Sequence, residues 1–183
     1  MLLLIGAGVL FLGILGWAIA LYNRLISLRN MVQNSWAQID VQLKRRFDLV
    51  PNLVATVKGY ATHEQQVLEN VTQARSLVAG AQTFEQRQQA ENMLTGALKS
   101  LFAVAEAYPQ LQASANFAQL QSELSELEAK IAFARQFYND TTMKYNTAIQ
   151  TFPNNLIAGI AGFVAIFYFE VDYREREAVQ VRF

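Results

Sequence analysis

The chain has 183 residues, no formal net charge and no cysteine. A neutral whole-molecule field favours neither nucleic acid nor an acidic substrate. The lack of thiols removes disulfides, thiolate nucleophiles, zinc–cysteine sites and iron–sulfur clusters together.

Leu2 to Leu21 reads LLLIGAGVLFLGILGWAIAL, without a charge or a strongly polar side chain. Twenty residues at about 1.5 Å each make roughly 30 Å of helix, the thickness of a bilayer's hydrocarbon core. A cleaved signal peptide fits poorly, because no basic region precedes the run and the run is long for one. Residues 1–22 are therefore expected to be a membrane signal-anchor. Arg24 and Arg29 follow it closely, so they are placed to touch lipid head groups and to keep the remainder of the chain in the cytoplasm, with a short N-terminal end outside. Gly6, Gly13 and Ala20 are spaced by seven, with Gly16 beside them. Small residues on one face let membrane helices approach closely, although glycine is common in such helices anyway.

Residues 23–152 are expected to form an antiparallel up-down four-helix bundle. Leu25, Leu28, Val32, Trp36, Ile39, Leu43 and Phe47 make one helical stripe, with no breaker between it and the anchor. Lys44, Arg45 and Arg46 follow, then Asp48 and Pro51. Aspartate caps helices and proline is tolerated in a first turn, so these five residues read as a helix corner; a proline kink is the alternative. The basic triplet suits the negative end of a helix. A lipid patch is disfavoured, since Lys44 stands about 35 Å of helix beyond Leu21. A nucleic-acid patch lacks any aromatic platform or glycine loop beside it.

The second stripe resumes at Leu53 and ends at Gly80. Thr83 and Gln86 have capping-box spacing and open a third helix, which Pro109 is expected to close. The last helix carries a heptad from Phe117 to Phe152, and Pro153 stops it. Short connections favour antiparallel neighbours.

The pair Tyr-Asn occurs at Tyr22-Asn23, Tyr138-Asn139 and Tyr145-Asn146. Tyrosine suits a membrane interface, and asparagine beside a helix seam fixes register through hydrogen bonds, so these six residues read as a structural polar network. A ligand site there lacks a charged or metal-binding partner. Residues 153–183 form an apolar extension. Leu156 to Phe169 is wholly apolar but short for a spanning helix. Leu156, Ile160, Phe163, Ile166, Phe167, Tyr168 and Phe169 are assigned to membrane or subunit contact. Val179, Val181 and Phe183 alternate as a short strand would.

Several stretches together resemble the LemA family of bacterial membrane proteins: Arg29 to Glu64, Ala107 to Pro109, Ala134 to Ala158, Tyr168 to Glu170 and the VRF ending. The resemblance implies an N-terminal signal-anchor and an antiparallel four-helix domain. It brings no agreed activity and no catalytic residues. One departure is Gly162-Phe163-Val164-Ala165-Ile166-Phe167, where relatives often carry lysine and proline; the greater apolarity favours membrane or subunit contact.

Nothing in the residues points to catalysis, a metal or another cofactor. The single histidine, His63, lacks the Glu-x-x-His partners of a di-metal bundle, and no phosphate loop or nucleophile motif is present. Glu123, Glu126, Glu128 and Lys130 read as a solvated helix face. Two functions remain. One is a scaffold of the bacterial inner membrane that self-assembles and organises or remodels the bilayer. The other is a monomeric adaptor that recruits another membrane protein.

Overall fold

The computed structural model describes residues 1–61 and 63–169. They form six helices: α1 (Leu2–Lys58), α2 (Gln65–Gly80), α3 (Phe84–Ala105), α4 (Pro109–Gln112), α5 (Ala115–Gln150) and α6 (Asn154–Ala161). No strand occurs among the described residues. The alternating segment Val179 to Phe183 lies outside them.

The expected corner at Phe47–Pro51 is replaced by unbroken helix, because α1 runs through Pro51 to Lys58. Proline has no N–H, so the carbonyl four residues back loses its helical partner. Here that carbonyl belongs to Phe47, and Arg75 Nε donates to it at 3.2 Å. The Arg75 guanidinium also lies 4.0 Å from the centre of the Phe47 ring, while the Pro51 ring faces outward. The chain turns instead after Lys58, so the segment read as the start of the second helix belongs to the first.

At α3 the capping box is present: Thr83 Oγ1 accepts from Gln86 N at 3.2 Å, and Gln86 Oε1 accepts from Thr83 N at 3.3 Å. Pro109 does not close α3, which ends at Ala105; it opens α4 from the first turn, where its missing N–H costs nothing.

The chain divides into two compact units, to both of which α1 and α5 contribute. The first holds Met1–Ile39 and Ala134–Tyr168. The second holds Asp40–Phe133 with Phe169. Two of these boundaries fall inside helices, α1 at Ile39 and α5 at Ala134. In the second unit Val50, Leu53 and Val57 of α1, Val71 and Val78 of α2, Leu94 and Leu101 of α3, Leu111 of α4, and Phe117 and Leu124 of α5 share one core. In the first unit, residues 2–17 of α1 are exposed throughout, and α1 is long and, near its N-terminus, apolar enough to cross a membrane.

Candidate membrane-proximal site

The first unit places the tyrosine–asparagine pairs and the apolar C-terminal run together. Trp36 of α1 meets Tyr138 of α5 edge to face, with centroids 5.7 Å apart. Ser35 and Thr141 share a buried hydrogen bond of 2.9 Å. These contacts bring α1 and α5 side by side around a polar seam.

After α6, Gly162 adopts a left-handed conformation (φ 71°) and turns the chain. Only glycine enters this region without a Cβ penalty. Phe163 N donates to Ala158 O at 2.9 Å, and residues 163–169 then run without helix. Non-helical backbone needs partners for its polar groups, and α5 supplies them from side chains. Tyr145 Oη donates to Val164 O at 3.0 Å and Tyr138 Oη to Phe167 O at 2.9 Å. Asn146 takes both groups of Ile166: its Nδ2 donates to Ile166 O at 2.8 Å, and Ile166 N donates to its Oδ1 at 2.9 Å. The amide side chain thus imitates the rung of a β-ladder.

Burial raises the pKa of Tyr138 and of Tyr145 above the ordinary value; the nearby Arg29 charge partly offsets the rise at Tyr145. Both hydroxyls are therefore held in the protonated form that can donate. Residues 163–168 thus form a strap along α5, and its start is set by Phe163, whose ring lies 5.8 Å from that of Tyr22 and 5.4 Å from the Arg29 guanidinium.

The six residues of the tyrosine–asparagine pairs thus have different roles. Tyr138, Tyr145 and Asn146 converge on the strap, and Tyr22 touches it through Phe163. Asn23 is exposed and Asn139 half-buried. Contacts between the helices are made by Ser35, Trp36 and Thr141; the sequence places Trp36 and Thr141 only in apolar stripes and does not point to Ser35. Of the residues assigned to outside contact, Leu156, Ile160, Phe167 and Tyr168 are exposed, and Phe163 and Ile166 half-buried. Phe169 is a correction: it is buried in the second unit, edge-on to Phe84 at 6.1 Å, where a large ring gains most from leaving water. Arg24 is exposed, whereas Arg29 is exposed but stacked on Phe163. Gly6, Gly13, Gly16 and Ala20 all lie on the exposed stretch of α1.

The second unit overturns the reading of the basic triplet. Lys44 is exposed and pairs with Asp48 at 2.6 Å, and Arg45 is exposed. Arg46 is 0% exposed. Its Nη2 donates to Glu91 Oε2 at 2.6 Å, and its Nη1 donates to Thr95 Oγ1 at 2.7 Å and to Glu128. Glu91 is also fully buried and accepts from Arg87, which in turn pairs with Asp40 at 2.9 Å. Glu128, half-buried at the edge of its helix face, thus also binds the buried Arg46, while Glu126 and Lys130 pair on the surface at 2.6 Å. A signal for this was present. Ile39, Leu43, Arg46, Val50, Leu53 and Val57 step by fours and threes, so Arg46 occupies a core position once α1 is read through Pro51.

Elsewhere in this unit, Tyr108 Oη donates to Glu64 Oε1 at 2.8 Å. The Glu64 hydrogen bond, with burial and the carboxylate charge behind it, raises the Tyr108 pKa. His63 is exposed, and among the described residues no group of three or more His, Cys, Asp or Glu side chains is arranged to hold a metal.

The model of the LemA family matches residues 35–183. The chain belongs to the LemA family. Magnetosome protein MamQ of Magnetospirillum gryphiswaldense is 25% identical over 174 residues, covering 81% of this chain and 64% of that protein. Magnetosome protein MamQ 1 of Paramagnetospirillum magneticum is 26% identical over 175 residues, with the same coverage. Protein LemA of Metamycoplasma hominis is 30% identical over 141 residues, 74% of this chain and 63% of its own length. This LemA-family chain therefore spans less than two thirds of these relatives, and none of their names is that of an enzyme.

Proposed function

We propose that this LemA-family chain is a non-enzymatic, membrane-anchored helical scaffold that self-assembles and organises or remodels the bilayer. The observation that carries this reading is the N-terminal stretch of α1. It is long enough to span, wholly apolar and uncovered by the rest of the protein, and a Cβ added at Gly6, Gly13 or Gly16 would meet nothing within 4 Å apart from the adjoining helix backbone. That leaves a smooth face free for a second membrane helix. The main helices α1, α2, α3 and α5 are taken as an antiparallel up-down four-helix bundle. Arg24 and Arg29 favour a cytoplasmic bundle at the bacterial inner membrane, with the N-terminus outside.

The test is the particle size of the full chain after mild detergent extraction, by light scattering and electron microscopy. A large, regular homo-oligomer that Gly6→Leu with Gly13→Leu breaks up supports the scaffold. A monomer, or a stoichiometric complex with another membrane protein, overturns it in favour of the adaptor.

A further inference from the structure

The sequence from Tyr145 to Phe169 contains no charged residue. Within it, α6 turns Asn154 and Ala158 inward and leaves its apolar side uncovered. Leu156 and Ile160, on the opposite side of α6, are 57% and 87% exposed, and Phe152 just before the helix and Val164 just after it are 79% and 73% exposed. Exposed apolar side chains grouped on and beside one short helix mark a contact with lipid or protein.

Its height relative to the N-terminal apolar stretch is set by side-chain contacts inside the first unit. Phe163 packs on Tyr22, the first residue beyond the Leu2–Leu21 run, and under Arg29. The preceding end of α6 is held by α5. Tyr138 meets Trp36 and Thr141 meets Ser35, so α5 descends along α1 and its last turn comes level with the residues just after Tyr22. Both ends of α6 are thus within roughly two helical turns of the end of the apolar run. The strap then climbs away. Phe167 is tied to Tyr138 at the level of Trp36, about 22 Å of helix beyond Leu21.

We infer that α6, with its exposed Leu156 and Ile160 and the flanking Phe152 and Val164, is a second membrane contact, lying in the interfacial layer of the bilayer that α1 crosses. The inference rests on the reading of residues 2–21 as a membrane span. Continuity with that span selects lipid as the occupant. Aromatic residues at either end of the segment and small residues along it suit an element lying in the plane of the interface. The same geometry keeps Phe167 and Tyr168 out of the bilayer, although both are exposed and apolar in character.

The lack of native cysteine makes the test direct. Full-length Ile160→Cys, Phe167→Cys and Leu10→Cys variants, each labelled with an environment-sensitive fluorophore, are reconstituted in vesicles of phosphatidylcholine and phosphatidylglycerol with brominated acyl chains. The expected result is that labels at positions 10 and 160 lose most of their emission to the brominated lipid, while the label at 167 keeps its own. Quenching at 10 but not at 160 overturns the inference and leaves the membrane span intact. A blue-shifted label at 160 that brominated lipid does not quench, and that reddens on dilution of the protein in the bilayer, means a second copy covers this side of α6, and also overturns the inference. Absence of quenching at position 10 removes the span and the inference with it.

Discussion

Arg75 on α2 donates its Nε to the carbonyl of Phe47 on α1, the one carbonyl that Pro51 leaves without a helical partner. A residue 28 positions downstream thus repairs the helix where the sequence signals a break. The repair is also a packing contact, since the guanidinium lies over the Phe47 ring.

Arg75→Ala is expected to lower stability by about 1.5–3 kcal/mol, the range for a hydrogen bond from a charged donor. In a Pro51→Ala background the restored N–H takes the Phe47 carbonyl and the same change costs less, with a coupling of about 0.5–2 kcal/mol. Denaturant unfolding of the full chain in detergent, followed by circular dichroism, measures the cycle. Equal costs in the two backgrounds refute the repair.

Arg46 presents a different case, because charge is buried on both sides of the interaction. Arg46→Ala leaves Glu91 buried without its main partner and is expected to cost about 3–5 kcal/mol. Arg46→Met combined with Glu91→Leu removes both charges together and recovers much of the loss. If the double variant is no more stable than Arg46→Ala, the cluster is not the source of the effect.

Asn146 is the residue on which the strap most depends. Asn146→Asp keeps an acceptor for Ile166 N but sets an oxygen against Ile166 O, where Nδ2 now donates at 2.8 Å. Hydrogen exchange at the Ile166 amide is expected to quicken by about ten-fold or more, as the loss of roughly 1.4 kcal/mol or more implies. Exchange in α2 serves as the internal reference and stays unchanged.

The strap also has a pH limit, at the alkaline end. Tyr138 and Tyr145 have pKa values raised in the folded protein, so folding favours their protonated forms. Their contribution is complete below the unfolded value of about 10 and is lost as pH rises through the folded values. Proteolysis near residues 163–169 should therefore increase only above about pH 10. Tyr138→Phe with Tyr145→Phe should be cleaved faster at neutral pH and lose that pH dependence. A rise in cleavage below pH 9 in the unsubstituted chain contradicts this assignment.

Local pattern determined much of this protein. Twenty uncharged apolar residues specify a helix of bilayer length, heptad stripes specify the main helices, and Thr83 with Gln86 specifies a helix start, because each depends on neighbours within a turn or two. Tertiary structure decided three other matters. Pro51 does not end α1, because Arg75 satisfies the carbonyl it orphans. Arg46 is a core residue, because Glu91 and Glu128 arrive from other helices to neutralise it. Tyr138, Tyr145 and Asn146 hold a strap, because the backbone polar groups of Val164, Ile166 and Phe167 find their partners on α5. In each case the outcome is set by a hydrogen-bond or charge partner distant in sequence, and no local pattern contains that partner.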